Sequence, residues 1–255
     1  MTTVILFVGL CAVTAALFLL QRHAPSRTSP LSAPPPKPSL PQPFGYKMSW
    51  LAVRTRDTAQ LLKALEATQF ARTTWADGIA EIYDERPPSR RIFVSPPVGE
   101  WSLVAGLTLP HPLGPAFVDK CTPLVTRLSE TFGEAQYFFT FPLLDFFAWA
   151  RAKDGELVRA FACGDEGVVW NRGRLTAEER DLSLRFFELR GIDNRQGDLG
   201  GDMQMMPTEA QVLELAGRWS IDPSRLDDAD STPGFGYLVS APQAWRTERI
   251  RKSAA

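Results

Sequence analysis

Residues 135–170 read AQYFFTFPLLDFFAWARAKDGELVRAFACGDEGVVW, and this stretch decides the fold class. It divides into short segments rich in aromatic and apolar residues, separated by turns of which Asp154-Gly155 carries the strongest hairpin signal. The predicted strands are 135–141, 146–152, 156–163 and 167–170. Strands joined by such short turns pair antiparallel, so we expect a β-meander at the centre of the domain.

Helix signals flank the meander on both sides. Asp57-x-x-Gln60, Thr176-x-x-Glu179 and Thr208-x-x-Gln211 are capping-box patterns that precede apolar residues at helical spacing. A fourth helix is predicted from Thr122 as N-cap to Gly133 as terminator. Further strands are predicted at 49–55, 79–83, 91–95, 101–105 and 237–239, with a loop around 75–78. The fold class is therefore α+β: one globular domain, residues 44–255, with a largely antiparallel sheet and about four packed helices.

The N-terminal segment predicts a membrane anchor. Residues 3–20 (TVILFVGLCAVTAALFLL) carry no charge and, as a helix, span roughly 27 Å, close to the thickness of the hydrocarbon core. A cleaved secretory signal is the alternative, but no basic residue precedes the segment and no small-residue cleavage site follows it. We therefore expect a retained transmembrane helix. Every charge from there to Arg56 is positive, which favours a domain in the cytoplasm over an extracytoplasmic one.

Residues 21–43 read as a proline-rich linker. Eight prolines lie between Pro25 and Pro43, a composition that favours extended polyproline II and does not form a core. At about 3.1 Å per residue the linker would reach roughly 70 Å at most. It is expected to hold the domain away from the membrane.

The charge balance excludes one class of partner. The first 56 residues hold 6 of the 28 Lys and Arg and none of the 29 Asp and Glu, which leaves 22 basic and 29 acidic residues, a net charge of −7, in the rest. A nucleic-acid partner would require a basic face, so none is expected. The loop 193–202 gathers three aspartates among glycines, which permits a calcium site, but a solvated acidic loop fits the spacing better because the EF-hand pattern is missing.

The search for catalytic motifs finds none. Glycine-rich nucleotide loops, a GxSxG elbow and an HExxH helix are absent from the sequence. The two histidines, His23 in the linker and His111 between two prolines, are not placed like a ligand or a general base. Cys121 and Cys163 lack metal-site spacing, and buried reduced thiols are expected rather than a disulfide. We therefore predict no cofactor, no metal site and no catalytic residue.

The candidate contacts with a partner are Trp101, Asp198 and Asp202. Trp101 follows the loop 96–100 and could anchor a protein partner, although a Trp at the start of a strand can equally belong to the core. Asp198 and Asp202 could steer a basic partner toward the domain.

Three segments carry a resemblance to a known family. Residues 95–106 (SPPVGEWSLVAG), 136–140 (QYFFT) and 148–155 (AWARAKDG) resemble an uncharacterised bacterial protein family that is similar to immunity-type and interaction domains of bacterial conflict systems. The resemblance covers about residues 48–240. It implies a protein-binding role and carries over no catalytic residue, and Phe141 and Phe147 stand where a histidine would be expected.

Three classes of function remain open at this point. The first is a membrane-anchored, non-catalytic protein-binding domain of the immunity type, which the acidic composition, the aromatic residues and the missing catalytic motifs favour. The alternatives are an envelope structural or assembly component and a hydrolase that uses clustered carboxylates.

Overall fold

The computed structural model describes residues 37–84, 90–164, 167–184, 206–228 and 233–250. These residues form nine strands and five α-helices. The strands are β1 Ser49–Val53, β2 Phe70–Thr73, β3 Arg91–Val94, β4 Ser102–Ala105, β5 Glu134–Phe141, β6 Phe146–Lys153, β7 Glu156–Gly164, β8 Gly167–Arg172 and β9 Gly236–Ser240. The helices are α1 Thr58–Ala64, α2 Trp75–Ile82, α3 Cys121–Phe132, α4 Ala177–Asp181 and α5 Glu209–Trp219.

All nine strands belong to one antiparallel sheet. Their order is β2-β9-β3-β4-β1-β5-β6-β7-β8, which confirms the α+β class and the large antiparallel sheet. The predicted meander is confirmed as β5 to β8. Asp154 and Gly155 both have positive φ, at 49° and 85°, as the tight turn between β6 and β7 requires.

The sheet has a hydrophobic core on each face. In β1, Leu51 and Val53 point to the first core, which α1 and α3 cover, while Trp50 and Ala52 point to the second core, which α2 and α5 cover. All five residues of β1 are buried for this reason. The central strands are consequently apolar on both faces, as in a sheet enclosed between two helical layers.

Small residues allow α3 to approach the sheet closely. The first face of β6 and β7 consists largely of alanines with no measurable exposure: Ala148, Ala150, Ala152, Ala160 and Ala162. Opposite them α3 contributes Leu124, Val125 and Leu128. The large side chains of these two strands, Trp149 and Phe161, instead point to the second face, where their rings stack at 4.7 Å.

The prediction of a strand at 79–83 after a loop was wrong, because residues 75–82 form the helix α2. Thr74 is its N-cap and accepts a hydrogen bond from Asp77 N at 3.1 Å. Gly78 lies in the middle of α2, where the ring of Phe93 packs against it so closely that a Cβ would overlap the ring. This helix raises the count from the expected four to five, and β2 just before it was not predicted.

The predicted start of α3 was also wrong in detail. Thr122 is not the N-cap, since the helix begins at Cys121 and its N-cap position is Lys120, two residues before Thr122. Asp119 accepts the hydrogen bonds of Cys121 N and Thr122 N, each at 3.0 Å, and so takes the capping role. The predicted terminator was correct, because Gly133 ends the helix at a φ of 81°.

The predicted membrane anchor, residues 3–20, lies outside the described residues, as does most of the predicted linker. Of the helices that are described, none has the length and apolar character needed to cross a bilayer. The described end of the linker contacts the domain: Ser39 pairs with Gly234 through two backbone hydrogen bonds, and its hydroxyl accepts from Trp75 N at 2.9 Å.

Candidate functional site

The turn between β5 and β6 exposes two leucines. It is a single 3-10 turn, Pro142–Leu144, followed by Asp145 in the left-handed conformation at φ 45°. The side chains of Leu143 and Leu144 are 74% and 66% exposed. Leucine at the tip of a hairpin contributes nothing to the core, so these two residues indicate a contact surface.

A groove of about 580 Å³ lies beside this turn, and we refer to it as the apolar groove. The loop 106–119 and the β5–β6 hairpin form it together. Its lining comprises Leu107, His111, Leu113, Phe139, Phe141, Leu143, Leu144, Asp145 and Phe146. Seven of these nine side chains are apolar, which suits contact with apolar side chains of another molecule.

His111 connects the two walls of the groove. Its ring stacks on Phe139 with the ring centroids 4.7 Å apart and an interplanar angle of 18°. Nε2 lies 3.0 Å from the carbonyl oxygen of Leu107, which can only accept, so Nε2 carries the proton. Nδ1 then accepts the hydroxyl hydrogen of Tyr137 at 3.0 Å. Both ring nitrogens are therefore occupied.

Burial lowers the pKa of His111 to about 4, an effect that the hydrogen bond to Leu107 opposes only in part. The imidazole is consequently neutral at physiological pH. With no charge and no unbonded nitrogen, His111 acts as part of the wall of the groove rather than as an acid or a base.

A second concavity, of about 200 Å³, adjoins the groove, and we call it the basic pocket. It shares Leu107, His111 and Leu113 with the groove, and its charged lining residues are Arg90, Lys120 and Arg246. Lys120 Nζ donates to the backbone oxygen of Arg246 at 2.6 Å and lies 3.5 Å from the Glu248 carboxylate. An apolar surface and a basic one thus meet at the loop 106–119.

A wider cleft of about 1330 Å³ follows on the other side of the same loop. Strand β8 forms part of its lining through Val168, Val169 and Trp170, and the loop contributes Leu113 and Phe117. β8 is an edge strand, so its outer backbone groups face away from the sheet. Three concavities therefore surround the loop 106–119.

The buried Glu179 serves the fold rather than a reaction. Arg159 Nε donates to both of its carboxylate oxygens, at 2.8 and 2.9 Å, and Trp149 Nε1 donates to one of them at 2.7 Å. Its second oxygen also accepts from Thr176 N at 2.8 Å, which completes the capping box of α4. This network ties the short helix α4 to the second face of the sheet.

A parallel network ties α5 to the same face. The Glu134 carboxylate accepts from Arg151 Nε at 2.6 Å and from Gln136 Nε2 at 2.9 Å. Gln136 in turn donates to the backbone oxygen of Trp219 at 3.1 Å, at the end of α5. Burial by itself would raise the pKa of Glu134, but the hydrogen bonds from Arg151 and Gln136 lower it overall, so the carboxylate stays ionised.

The two cysteines of the domain are buried and free, as expected. Cys121 belongs to the first core and Cys163 to the second, so the sheet separates them and they cannot pair. Burial raises the pKa of Cys163 to about 12 and that of Cys121 well above its ordinary value. Both thiols are therefore protonated at neutral pH and poor nucleophiles.

The structure places Trp101 away from the groove. Trp101 lies just before β4, half-buried against the second core, and exchanges backbone hydrogen bonds of 2.7 and 3.0 Å with Val98 across the turn. Leu107 of the groove lies beyond the other end of β4. Asp198 and Asp202, together with the loop 193–202, lie outside the described residues.

Sequence reasoning missed the groove. The sequence pattern assigns no ligand or base role to His111, and it places Leu143 and Leu144 in a turn between two strands. The available signal was the pair of leucines between Pro142 and Asp145, since apolar residues in a hairpin turn have no place in the core. In the part of the chain that the structure describes, no three His, Cys, Asp or Glu side chains gather as metal ligands would.

Comparisons with known proteins add no relative: no protein-family model, no curated protein and no solved structure matches this chain.

Proposed function

We propose that the protein is a membrane-anchored, non-catalytic protein-binding domain of the immunity type, and that the apolar groove is its contact surface. The observation that carries the proposal is the exposure of Leu143 and Leu144 beside a groove lined by three phenylalanines. Apolar side chains that cluster on a surface, and that the fold itself does not require, are typical of protein interfaces.

The state of the ionisable groups supports a non-catalytic role. Among the described residues, the buried carboxylates Glu134 and Glu179 are each held by an arginine, and each belongs to a hydrogen-bond network that ties a helix to the sheet. His111 is neutral with both ring nitrogens bonded. A general acid or base requires a group that can exchange a proton near neutral pH and reach a substrate, and these groups are occupied within the fold.

The expected anchor would hold the binding domain at the membrane. Residues 3–20 are proposed as a single transmembrane helix with the domain on the cytoplasmic side, and residues 21–43 as the linker, of which residues 21–38, before the Ser39 contact, would span up to roughly 56 Å if extended. A tethered domain meets membrane-associated partners at raised effective concentration, which suits a protein that neutralises or captures another protein.

The proposal is tested by co-purification. Full-length tagged protein is isolated from the membranes of the cells that make it, alongside the double variant Leu143→Asp/Leu144→Asp. We expect a stoichiometric protein partner with the parent, and a complex weakened by about 2 kcal/mol or more, on the order of 30-fold, with the variant. Since both leucines are exposed, the variant should melt at the temperature of the parent.

Leu40→Asp is the matched control, because Leu40 is also exposed, at 60%, but does not line the groove. A second variant, Trp101→Ala, tests the contact predicted at the other end of β4. A partner retained equally by the parent and the groove variant would remove the groove from the interface. Absence of any partner from membranes in which the protein is abundant would contradict a binding role.

A further inference from the structure

The surface beside the apolar groove has the opposite charge to the domain as a whole. Residues 57–255 carry a net charge of −7, from 22 basic and 29 acidic residues. The basic pocket nevertheless has Arg90, Lys120 and Arg246 in its lining and no acidic side chain among its described lining residues. A cluster of cationic side chains on an otherwise acidic domain indicates that the site attracts negatively charged groups.

The acidic groups nearby neutralise this pocket only in part. Glu248 lies 3.5 Å from Lys120, but its side chain is 67% exposed, and exposed ion pairs of this length contribute little. Asp145 belongs to the hairpin wall of the groove and does not line the pocket. Arg246 is exposed and forms no ion pair with any residue that the structure describes, so an incoming anion can reach it.

We propose that the partner enters this site as an acidic protein segment, with its apolar side chains in the groove and at least one of its carboxylates in the basic pocket. The inference rests on the proposed function and adds the chemistry of the partner to it. Leu107, His111 and Leu113 line both concavities, so a single segment can occupy the two at once. Apolar anchors would then supply the contact energy, and charge would supply orientation and association rate.

The shape of the site favours a protein segment over a small ligand. The basic pocket, at about 200 Å³, is smaller than the roughly 300 Å³ at which small-molecule sites begin. The groove, at about 580 Å³, has the volume of a small-molecule site, but Leu143 and Leu144 on its rim are 74% and 66% exposed, so it would leave much of a small ligand or a lipid tail in water. An amphipathic peptide needs only one of its faces covered, as in other helix-in-groove complexes.

The same charges disfavour a second copy of this chain on the same face. A two-fold symmetric contact brings identical surfaces together, so the two sets of Arg90, Lys120 and Arg246 would approach each other. Like charges brought together at an interface oppose association. The acidic segment is therefore expected to come from a different protein.

The test is a selection of 12-residue peptides from a random phage-displayed library on the immobilised full-length protein, held in nanodiscs of zwitterionic lipid. We expect enrichment of peptides that combine Leu, Ile or Phe with two or more Asp or Glu. Their binding should weaken about tenfold or more in Arg90→Glu/Arg246→Glu and also in Leu143→Asp/Leu144→Asp. Lys63→Glu, an exposed lysine on α1 outside the site, is the charge control and should bind like the parent.

The remaining outcomes separate the two proposals. Enrichment of neutral or basic peptides whose binding depends on Leu143 and Leu144 but is unchanged in the arginine variant would overturn the acidic segment and leave the binding role intact. Enrichment of peptides whose binding is unchanged in both variants would overturn both proposals. If no peptide is enriched, and oleate binds in the groove without displacing any ligand from the arginines, the ligand is an anionic lipid. That result would overturn the inference. Thermal melts of each variant confirm that it is folded.

Discussion

At the residue scale, Glu179 shows how a charge can be buried without serving a reaction. Its side chain is fully buried and Arg159 is 2% exposed, so neither charge is screened by water. The carboxylate accepts from Arg159, from the Trp149 indole and from the Thr176 backbone, which uses the capacity of both oxygens. Removing one partner would therefore leave an unpaired group in the interior.

We expect Glu179→Leu or Arg159→Met to lower the free energy of unfolding by about 3–5 kcal/mol. The double variant Arg159→Met/Glu179→Leu should cost less than the sum of the single changes, because it leaves no unpaired charge behind. Urea denaturation measures each value. Glu214→Gln breaks an exposed i,i+4 pair with Arg218 and should change stability by only about 0.5 kcal/mol or less. Equal losses at the two sites would contradict this account.

His111 predicts a dependence of stability on pH. The pKa of its imidazole is about 4 in the folded protein against 6.5 for an unperturbed histidine. Between pH 4 and 6.5 the unfolded chain therefore binds a proton at His111 more readily than the folded protein does. The contribution of neutral His111 to the free energy of unfolding is complete above pH 6.5 and is lost as the pH falls toward 4. The loss over that range is at most about 3 kcal/mol.

The variant His111→Gln should therefore show a flatter stability curve than the parent between pH 6.5 and 4. The difference between the two curves isolates His111 from the carboxylates, which the two proteins share. Chemical denaturation at several pH values provides the curves. His23→Gln, at the only other histidine, is the control and should match the parent. Parallel curves for parent and His111→Gln would show that His111 is not held neutral.

At the scale of single elements, α2 depends on the contact between Gly78 and the ring of Phe93. The ring also approaches Gly236 of β9, where a Cβ would again overlap it, and it meets Trp75 edge-on at a centroid distance of 5.2 Å. Phe93 is fully buried and thus lies between two glycines, one on the helix and one on the sheet. Glycine weakens an isolated helix, so its presence inside α2 reflects this packing.

Gly78→Ala should accordingly destabilise the protein by about 1–3 kcal/mol, although alanine has the higher helix propensity. The added methyl group forces the Phe93 ring or the helix to move. The double variant Gly78→Ala/Phe93→Leu should regain part of the loss, because the smaller side chain leaves room for the methyl group. Denaturant midpoints compare the three proteins. A Gly78→Ala protein more stable than the parent would show that the contact can relax freely.

At the scale of the whole molecule, the two cores share one sheet. β1 and β5 contribute alternate residues to both cores, so neither core can come apart without loosening the strands that support the other. The proposed contact surface lies at one end of this sheet, on the loop and hairpin that leave it. Binding residues on loops held by a rigid scaffold are the common arrangement in proteins.

This arrangement predicts a single cooperative unfolding transition for the described domain. Leu128→Ala in the first core and Leu215→Ala in the second should each lower the same transition by about 2–5 kcal/mol. Near-ultraviolet and far-ultraviolet circular dichroism should report coincident midpoints in both variants. Two separate transitions, each sensitive to one substitution only, would show that the cores fold independently.

Local chemistry was sufficient to predict several elements. The β5–β8 meander follows from apolar segments separated by turns, and Asp154-Gly155 adopts the positive φ values that its hairpin requires. The caps at Asp57, Thr176 and Thr208 accept the expected backbone hydrogen bonds, because a capping interaction spans only three residues. The free state of the cysteines was likewise expected from their spacing.

Strand periodicity, turns and helix caps depend on neighbours along the chain, so a single sequence was enough to predict them. Features that depend on distant residues could be recognised only in the folded protein. β9 inserts between β2 and β3 although it comes last in the chain, and nothing local to these three strands specifies that order. α2 packs closely on the sheet because Gly78 leaves room for the ring of Phe93, and the groove exists because the loop that holds Leu107 and His111 meets a hairpin some thirty residues later in the chain. Contacts of that separation leave no periodic pattern in a single sequence, because each partner is chosen by packing rather than by its neighbours.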